Sequence, residues 1–245
     1  MTRTLVIAEP GMTWDRDLDK AYRLIDAAKA CDADIVKFQW TSSGRKIQQR
    51  RQVDEKYIAI YERGVQYPRE WLFDLMTHCD EVGITFMCTT YLPEDIAVVD
   101  PLVKMFKVSA YESEWREFIE AHPHGKNILV STNPKQTMYY LPGVRFLHCV
   151  SKYPTPIEDL KLRQYIGDDI EGFSDHTANV LTGAAAVAAG ATIVEAHIRL
   201  HDTDKGNPDY GHSLVCDWVG GSHDAGNLSN FGLYVGFIRT VERML

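Results

Sequence analysis

Short apolar runs rich in β-branched residues alternate with longer segments of helical period along most of this chain. The alternation is typical of βα units, because parallel strands need a crossover long enough for a helix. Eight strands are predicted, near Thr4–Ala8, Asp34–Phe38, Thr85–Cys88, Met105–Val108, Ile128–Ser131, Arg145–Cys149, Glu171–Ser174 and Thr192–His197. The pattern predicts an α/β fold of the (β/α)8 TIM-barrel class rather than an open doubly wound sheet. With 245 residues the chain has the length of one barrel, so we expect a single domain over residues 1–245.

The connections between the strands are unequal in length. Helices are predicted at Asp15–Cys31, Pro68–Val82 and Asn179–Ala189, and a last helix near residues 230–245 follows the glycine-rich Gly220-Gly221. Residues 133–143 are too few for a full barrel helix. Residues 41–67 are predicted to form a long loop containing Arg45, Lys46, Arg50 and Arg51. Such a basic run is typical of a solvated loop, and the alternative is a mobile lid that helps to attract phosphate.

Charge and cysteine usage exclude some classes of protein. The formal net charge of −8 argues against a general nucleic-acid surface but permits an anionic substrate in a pocket with a few cations. Five dispersed cysteines without a CxxC pair are typical of reduced thiols, so we expect a cytoplasmic protein. The apolar run Leu5–Ala8 is too short for a signal peptide or a membrane span, so no membrane partner is expected.

Polar side chains occupy the ends of the predicted strands. In a barrel these ends and the loops after them carry the chemistry, and a buried polar group costs free energy unless it is paired or used. A ring of such residues is what a binding pocket requires. Its members include Glu9, Lys37, Gln39, Thr89, Lys107, Ser131, His148, Ser151, Tyr153, Ser174, His176, Glu195 and His197.

His176 and His197 are the candidate metal ligands of this ring. They end adjacent predicted strands, so their imidazoles could converge on one divalent ion such as Mn, Fe, Co or Zn. Asp175 and Glu195 are candidates to orient these ligands. The alternative is that each histidine is a hydrogen-bonded core residue.

Lys37 and Lys107 could supply positive charge for a phosphate or a carboxylate. Ser131, Ser151 and Ser174 could complete an anion-binding site, although each could equally cap a loop. Glu9 could act as an acid, a base or an acceptor for a substrate hydroxyl, or could pair with a neighbouring lysine.

Several segments, taken in order, resemble the N-acetylneuraminate (sialic acid) synthase family, which includes legionaminic and pseudaminic acid synthases. The match runs from about Leu5 to Ser213. The segments are Ile35-Val36-Lys37-Phe38-Gln39, then Phe146 to Pro154 with Glu158-Asp159, Gly172 to Thr177, Glu195-Ala196-His197 and Pro208 to Ser213.

The resemblance implies a metal-dependent condensation of phosphoenolpyruvate with an amino-sugar aldehyde, which yields a nonulosonic acid and phosphate. It implies that His176 and His197 bind the metal, with manganese expected and Mg, Co, Fe or Zn as alternatives. Lys37, Lys107, Ser131 and Ser174 then contact phosphoenolpyruvate, with Gln39, Thr89, Ser151 and Tyr153 as further substrate-binding residues. Glu9, Asp209 and Glu112 resemble residues on the sugar side or around the metal-bound water, and with the two lysines they form the expected catalytic set.

Departures from the family pattern concern the sugar half. Pro10–Trp14 stands where the family has a Gly-Ile-Asn-His stretch, and Asn133-Pro134 stands where Gly-Met is usual. Three single residues also differ: Ala110 replaces a common serine, Ser151 replaces a common asparagine, and Ala196 replaces a basic residue. We expect no antifreeze-like C-terminal domain, so a homodimer or a partner chain could complete the site. Two alternatives stay open. One is a divergent barrel that keeps the phosphoenolpyruvate and metal site but acts on another substrate, and the other is a non-catalytic barrel that binds a sugar phosphate or a partner protein.

Overall fold

A computed structural model describes residues 3–133, 135–217 and 229–245, so Pro134 and Gly220-Gly221 lie outside the described residues. Eight parallel strands lie at Leu5–Glu9 (β1), Ile35–Gln39 (β2), Thr85–Thr89 (β3), Met105–Val108 (β4), Asn127–Thr132 (β5), Val144–Cys149 (β6), Ile170–Asp175 (β7) and Ile193–Arg199 (β8). Each strand pairs with the next, and β1 pairs with β8, so the sheet is closed. The predicted (β/α)8 barrel is therefore confirmed. A short strand β9, Leu214–Val215, pairs with the end of β8.

Helices surround the barrel. They are Leu18–Ala30 (α1), Gly44–Arg51 (α2), Lys56–Gly64 (α3), Glu70–Val82 (α4), Pro93–Val99 (α5), Arg116–Glu120 (α6), Leu162–Tyr165 (α7), Thr182–Ala188 (α8) and Asn230–Glu242 (α9). Asp17 starts α1 because its carboxylate accepts hydrogen bonds from the backbone N–H groups of Asp19 and Lys20. Over the described ranges, none of these helices is long and apolar enough to cross a membrane.

The prediction of a long loop at residues 41–67 is wrong, because α2 and α3 both lie within it. Ser43 caps α2 by accepting a hydrogen bond from the N–H of Lys46. Ile47 of α2 and Val65, which follows α3, are buried in a small cluster with Tyr91 and Leu92. The two helices are short and bury few side chains, so their basic residues obscured the apolar positions in the sequence.

The inside of the barrel is built in two layers. Its floor is the apolar cluster Ile7, Ile35, Met87, Leu129, Leu147 and Ile193. On β7 the floor position is Gly172, where a Cβ would lie 2.7 Å from the carbonyl oxygen of Ile193. Side chains two residues apart on a strand share a face, so the residues two positions on form the next layer.

We call this next layer the polar layer. It has one residue from each strand, and all are at most 3% exposed: Glu9, Lys37, Thr89, Lys107, Ser131, Cys149, Ser174 and Glu195. The alternation of the strands thus places seven polar side chains together at the carboxyl end of the barrel. This is the end at which barrel enzymes carry their active sites.

Candidate active site

Glu195 is the centre of the polar layer. Its two carboxylate oxygens lie 3.6 Å from the Nζ atoms of Lys37 and Lys107, one oxygen to each lysine. Ser174 also donates a hydrogen bond to Glu195 over 2.9 Å. Burial alone would raise the pKa of Glu195, but the two lysines lower it, so this carboxylate is ionised.

Each lysine of the polar layer also contacts a hydroxyl group. Lys107 donates to Ser131 Oγ over 2.8 Å, and Lys37 donates to Thr89 Oγ1 over 3.0 Å and forms an ion pair with Glu9. Burial lowers the pKa of Lys37 to about 8, and the charge of Lys107 acts in the same direction. Lys37 and Lys107 therefore form a pre-arranged cationic site. The carboxylates of Glu9 and Glu195 balance its positive charge.

Glu9 is fixed by a chain of side chains that crosses two strands. Gln39 Nε2 donates to Glu9 Oε1 over 2.5 Å, and the hydroxyl of Tyr91 donates to Gln39 Oε1 over 2.6 Å. Tyr91 was not predicted as a site residue. Its position two residues after Thr89 continues the inward face of β3 and is the only signal for it in the sequence.

The predicted metal pair lies beside this layer. The ring centroids of His176 and His197 are 5.3 Å apart, and Tyr153 packs on His176 with a centroid distance of 4.4 Å. Nδ1 of His176 lies 3.4 Å from the carbonyl oxygen of Val150, which leaves Nε2 available for a ligand. Burial, followed by the neighbouring His212, lowers the pKa of His176 to about 3, so the imidazole is neutral.

A third histidine, His212, joins this group although sequence reasoning did not select it. Its ring centroid lies 4.6 Å from that of His197, and the Asp209 carboxylate lies beside both rings. Nδ1 of His197 and Nε2 of His212 are buried without a hydrogen-bond partner, and burial lowers the pKa of both rings, that of His212 to about 4. Neutral imidazoles with a buried carboxylate fit a divalent transition metal.

Asp175 does not orient the histidines as predicted. Its carboxylate accepts hydrogen bonds from the backbone and side chain of Thr177, at 2.8 and 2.7 Å, and from the hydroxyl of Tyr234 at 3.1 Å. Thr182, at the start of α8, also donates to it. Because Asp175 follows Ser174 by one residue, it points away from the pocket and ties β7 to α8 and α9.

Glu112 is buried at the mouth of the barrel and is paired with Arg51. Two guanidinium nitrogens of Arg51 donate to the two carboxylate oxygens of Glu112, each over 2.8 Å. The guanidinium also lies 4.5 Å from the ring centroid of Tyr111. Sequence reasoning placed Arg51 in a solvated loop, whereas only 9% of its side chain is exposed, so that interpretation is wrong for this residue.

The remaining predicted residues lie at the rim. Ser151 and Tyr153 are exposed in the loop after β6, and Asp209 is buried in the loop that leads to the turn at residues 210–212. Met12 N donates to Asp209 Oδ2 over 2.7 Å. The loop after β1 therefore holds Asp209 against the histidine group.

Comparison with known proteins shows which family the chain belongs to. A sequence model described as the NeuB family matches residues 24–218. The chain is 30% identical to the human N-acetylneuraminate-9-phosphate synthase over 98% of its own length and 70% of the relative's. It is 28% identical to the N,N'-diacetyllegionaminic acid synthase of Campylobacter jejuni, over 87% of this chain and 72% of that protein.

Solved structures agree on the fold. The N-acetylneuraminic acid synthetase of Leptospira borgpetersenii superposes with a TM-score of 0.81 at 19% identity, over 99% of this chain and 85% of that one. The spore coat polysaccharide biosynthesis protein SpsE of Bacillus subtilis gives a TM-score of 0.74 at 25% identity, over 99% of this chain and 69% of that one. The resemblance read from the sequence is confirmed, and the chain belongs to the NeuB family.

Proposed function

We propose that this barrel condenses phosphoenolpyruvate with an amino-sugar aldehyde to give a nonulosonic acid and phosphate. The observation that carries the proposal is the pair of buried lysines in the polar layer, next to a group of neutral histidines. Membership of the NeuB family supports it, as do the names of the relatives, which are synthases of sialic and legionaminic acids.

Lys37 and Lys107 hold the anionic groups of phosphoenolpyruvate in this proposal. Their hydroxyl neighbours Thr89, Ser131 and Ser174 lie within the same buried layer and supply uncharged donors. A hydrogen bond from a charged donor contributes roughly 1.5–3 kcal/mol, more than its neutral counterpart. Glu195 keeps the two ammonium groups in place by contacting both of them.

In the reaction we propose, C3 of phosphoenolpyruvate attacks the aldehyde carbon while water adds at C2. The resulting intermediate expels phosphate with cleavage of its C–O bond. Glu9, which is oriented by Gln39 and paired with Lys37, accepts a proton from the water or from a sugar hydroxyl. The positive charge of Lys37 and Lys107 stabilises the anionic intermediate in a site that excludes bulk water.

His176 and His197 would hold a divalent metal, for which we propose manganese, with His212 and Asp209 beside them. When bound, such an ion polarises a carbonyl oxygen and makes a water more acidic. The chain's own contribution is to keep these imidazoles neutral by burial and to fix them against Asp209 and Val150.

The sugar side is formed by Glu112, Asp209 and Tyr153 in this proposal. Ala110 replaces a serine of the family pattern here, and its carbonyl oxygen accepts a hydrogen bond from Gln136 over 2.5 Å. Together with Ser151 and the stretch Pro10–Trp14, this replacement alters which amino-sugar aldehyde fits the site.

We also propose the cytoplasm as the location of the protein. All five cysteines are unpaired, which supports a reducing compartment.

Phosphate release from phosphoenolpyruvate, measured with a panel of aldoses in the presence and absence of manganese, tests the proposed function. We expect release that requires both an aldose and the metal. Release with an acceptor other than an amino sugar would favour a divergent barrel. Binding of phosphoenolpyruvate without release under any condition would favour a non-catalytic binding protein.

A further inference from the structure

Asp209 lies between two buried histidines that come from different elements. Its Oδ2 is 3.7 Å from Nδ1 of His197 on β8, and its Oδ1 is 3.6 Å from Nε2 of His212 in the turn at residues 210–212. The side chains of His197 and His212 are more than nine-tenths buried. Neither Nδ1 of His197 nor Nε2 of His212 has a hydrogen-bond partner. Two unpaired nitrogens that face one carboxylate indicate that a ligand belongs between them.

The spacing of these atoms fits a cation better than a hydrogen bond. Hydrogen bonds between nitrogen and oxygen span about 2.7–3.2 Å, which is shorter than both distances. Ligand atoms that bind one tetrahedral ion at about 2.0–2.1 Å lie about 3.3–3.4 Å apart. One ligand-type atom from each of His197, Asp209 and His212 lies within 4.8 Å of the others, so a small movement would complete the set.

We infer that His212 is a metal ligand and that, together with His197 and Asp209, it binds a divalent transition cation. The inference rests on the metal site of the proposed function and adds a third imidazole to the predicted pair. His176 faces the same group, with its ring centroid 6.0 Å from that of His212. A set rich in imidazole favours Mn, Fe, Co or Zn over Mg, which prefers oxygen ligands.

The loop after β1 is shaped around this group. Gly11 has a φ of 53°, and a Cβ there would lie 2.3 Å from Asp209 Oδ2 and 3.1 Å from His197 Nδ1. Only a residue without a Cβ therefore allows the backbone to approach the carboxylate, to which the next residue, Met12, donates its N–H. The close approach fixes Asp209 between the two histidines before any cation binds.

Cobalt absorption of the whole purified protein tests this inference, with cobalt chloride as the probe and with neither phosphoenolpyruvate nor sugar present. In the variant His212→Cys a thiolate replaces the imidazole, and a cobalt-bound thiolate gives a charge-transfer band in the near ultraviolet. We expect this band in His212→Cys and not in the wild type. His122→Cys is the matched control, because His122 is equally buried with an unpaired Nε2 but packs outside the barrel against Phe106 and Phe118.

Cobalt affinity gives a second result that does not depend on the thiolate. Loss of a group that merely orients a ligand weakens metal binding roughly 10–100-fold, so we expect His212→Ala to raise the Kd at least about 100-fold. His212→Gln keeps the side-chain volume and should show the same loss, which excludes a packing defect if His212→Ala does not fold. Wild-type cobalt affinity in folded His212→Gln, without a band in His212→Cys, would overturn the inference. A protein that binds cobalt as expected but releases no phosphate would refute the proposed function alone.

Discussion

Arg51 and Glu112 form a two-point ion pair that joins α2 to the loop after β4 at the mouth of the barrel. The pair connects the stretch at residues 41–67 to Glu112, which is expected on the sugar side. Tyr61, Tyr91 and Tyr111 surround the guanidinium at 4.5–5.4 Å from their ring centroids. These contacts fix the end of α2 against the mouth of the barrel.

Replacing Arg51 by methionine should destabilise the protein, because it leaves the buried Glu112 carboxylate without its partner. Breaking a buried pair from one side typically costs about 3–5 kcal/mol. Equilibrium unfolding in urea measures this cost, and Lys46→Met is the control, since Lys46 pairs with Glu94 on the surface. The double variant Arg51→Met/Glu112→Gln should recover part of the loss. A cost in Arg51→Met no larger than that in Lys46→Met would show that the pair is not buried as described.

Lys37→Met and Lys107→Met should each weaken phosphoenolpyruvate binding by about one to two decades, because each removes a charge-assisted hydrogen bond worth roughly 1.5–3 kcal/mol. Isothermal titration calorimetry measures the affinity. Lys126→Met, which removes a lysine paired with Asp100 outside the barrel, serves as the control and should bind normally. If Lys37→Met or Lys107→Met lowers the melting temperature but binds phosphoenolpyruvate normally once folded, that lysine has a structural role only.

The affinity for phosphoenolpyruvate should fall as the pH rises above about 8. The pKa of Lys37 is lowered to about 8 by burial, so the free protein loses this positive charge above that pH and must take up a proton to bind the anion. Titrations between pH 7 and pH 10 should show the decline. In Lys37→Arg the charge persists, so the curve should be flatter. An equally steep decline in that variant would assign the effect to another group.

Tyr234→Phe should reduce stability without changing the affinity for phosphoenolpyruvate. The substitution removes the hydrogen bond of 3.1 Å to the buried Asp175, at a cost of about 1–3 kcal/mol. Urea unfolding and calorimetry on the same variant separate the two properties. A large loss of phosphoenolpyruvate affinity in folded Tyr234→Phe would show that Asp175 contributes to the binding site.

The strands were predictable because their signal is local. Short apolar, β-branched runs predicted all eight, with the ends shifted by two residues at most. The helices α2 and α3 were missed because they bury few side chains, among them Ile47. In sequence, a short amphipathic helix with many basic residues is too similar to a solvated loop to be distinguished from it.

The missed site residues depend on tertiary contacts. His212 lies in a single turn with no periodic pattern, and the pairing of the following strand β9 with the end of β8 brings it beside His197. Arg51 reaches Glu112 across 61 residues of sequence, and Tyr234 reaches Asp175 across 59. No local pattern predicts such pairs. Conversely, Asp175 looked like a site residue because it precedes His176, although adjacent strand residues face opposite sides.

Cleavage of phosphoenolpyruvate labelled with oxygen-18 in the oxygen that bridges carbon and phosphorus tests the central claim most directly. The reaction is run with manganese and the best acceptor aldose, and the released phosphate is analysed by mass spectrometry. The account predicts that the label leaves with the phosphate, because water adds at C2 and the C–O bond breaks. Phosphate without the label would mean that the P–O bond breaks, and it would contradict the account.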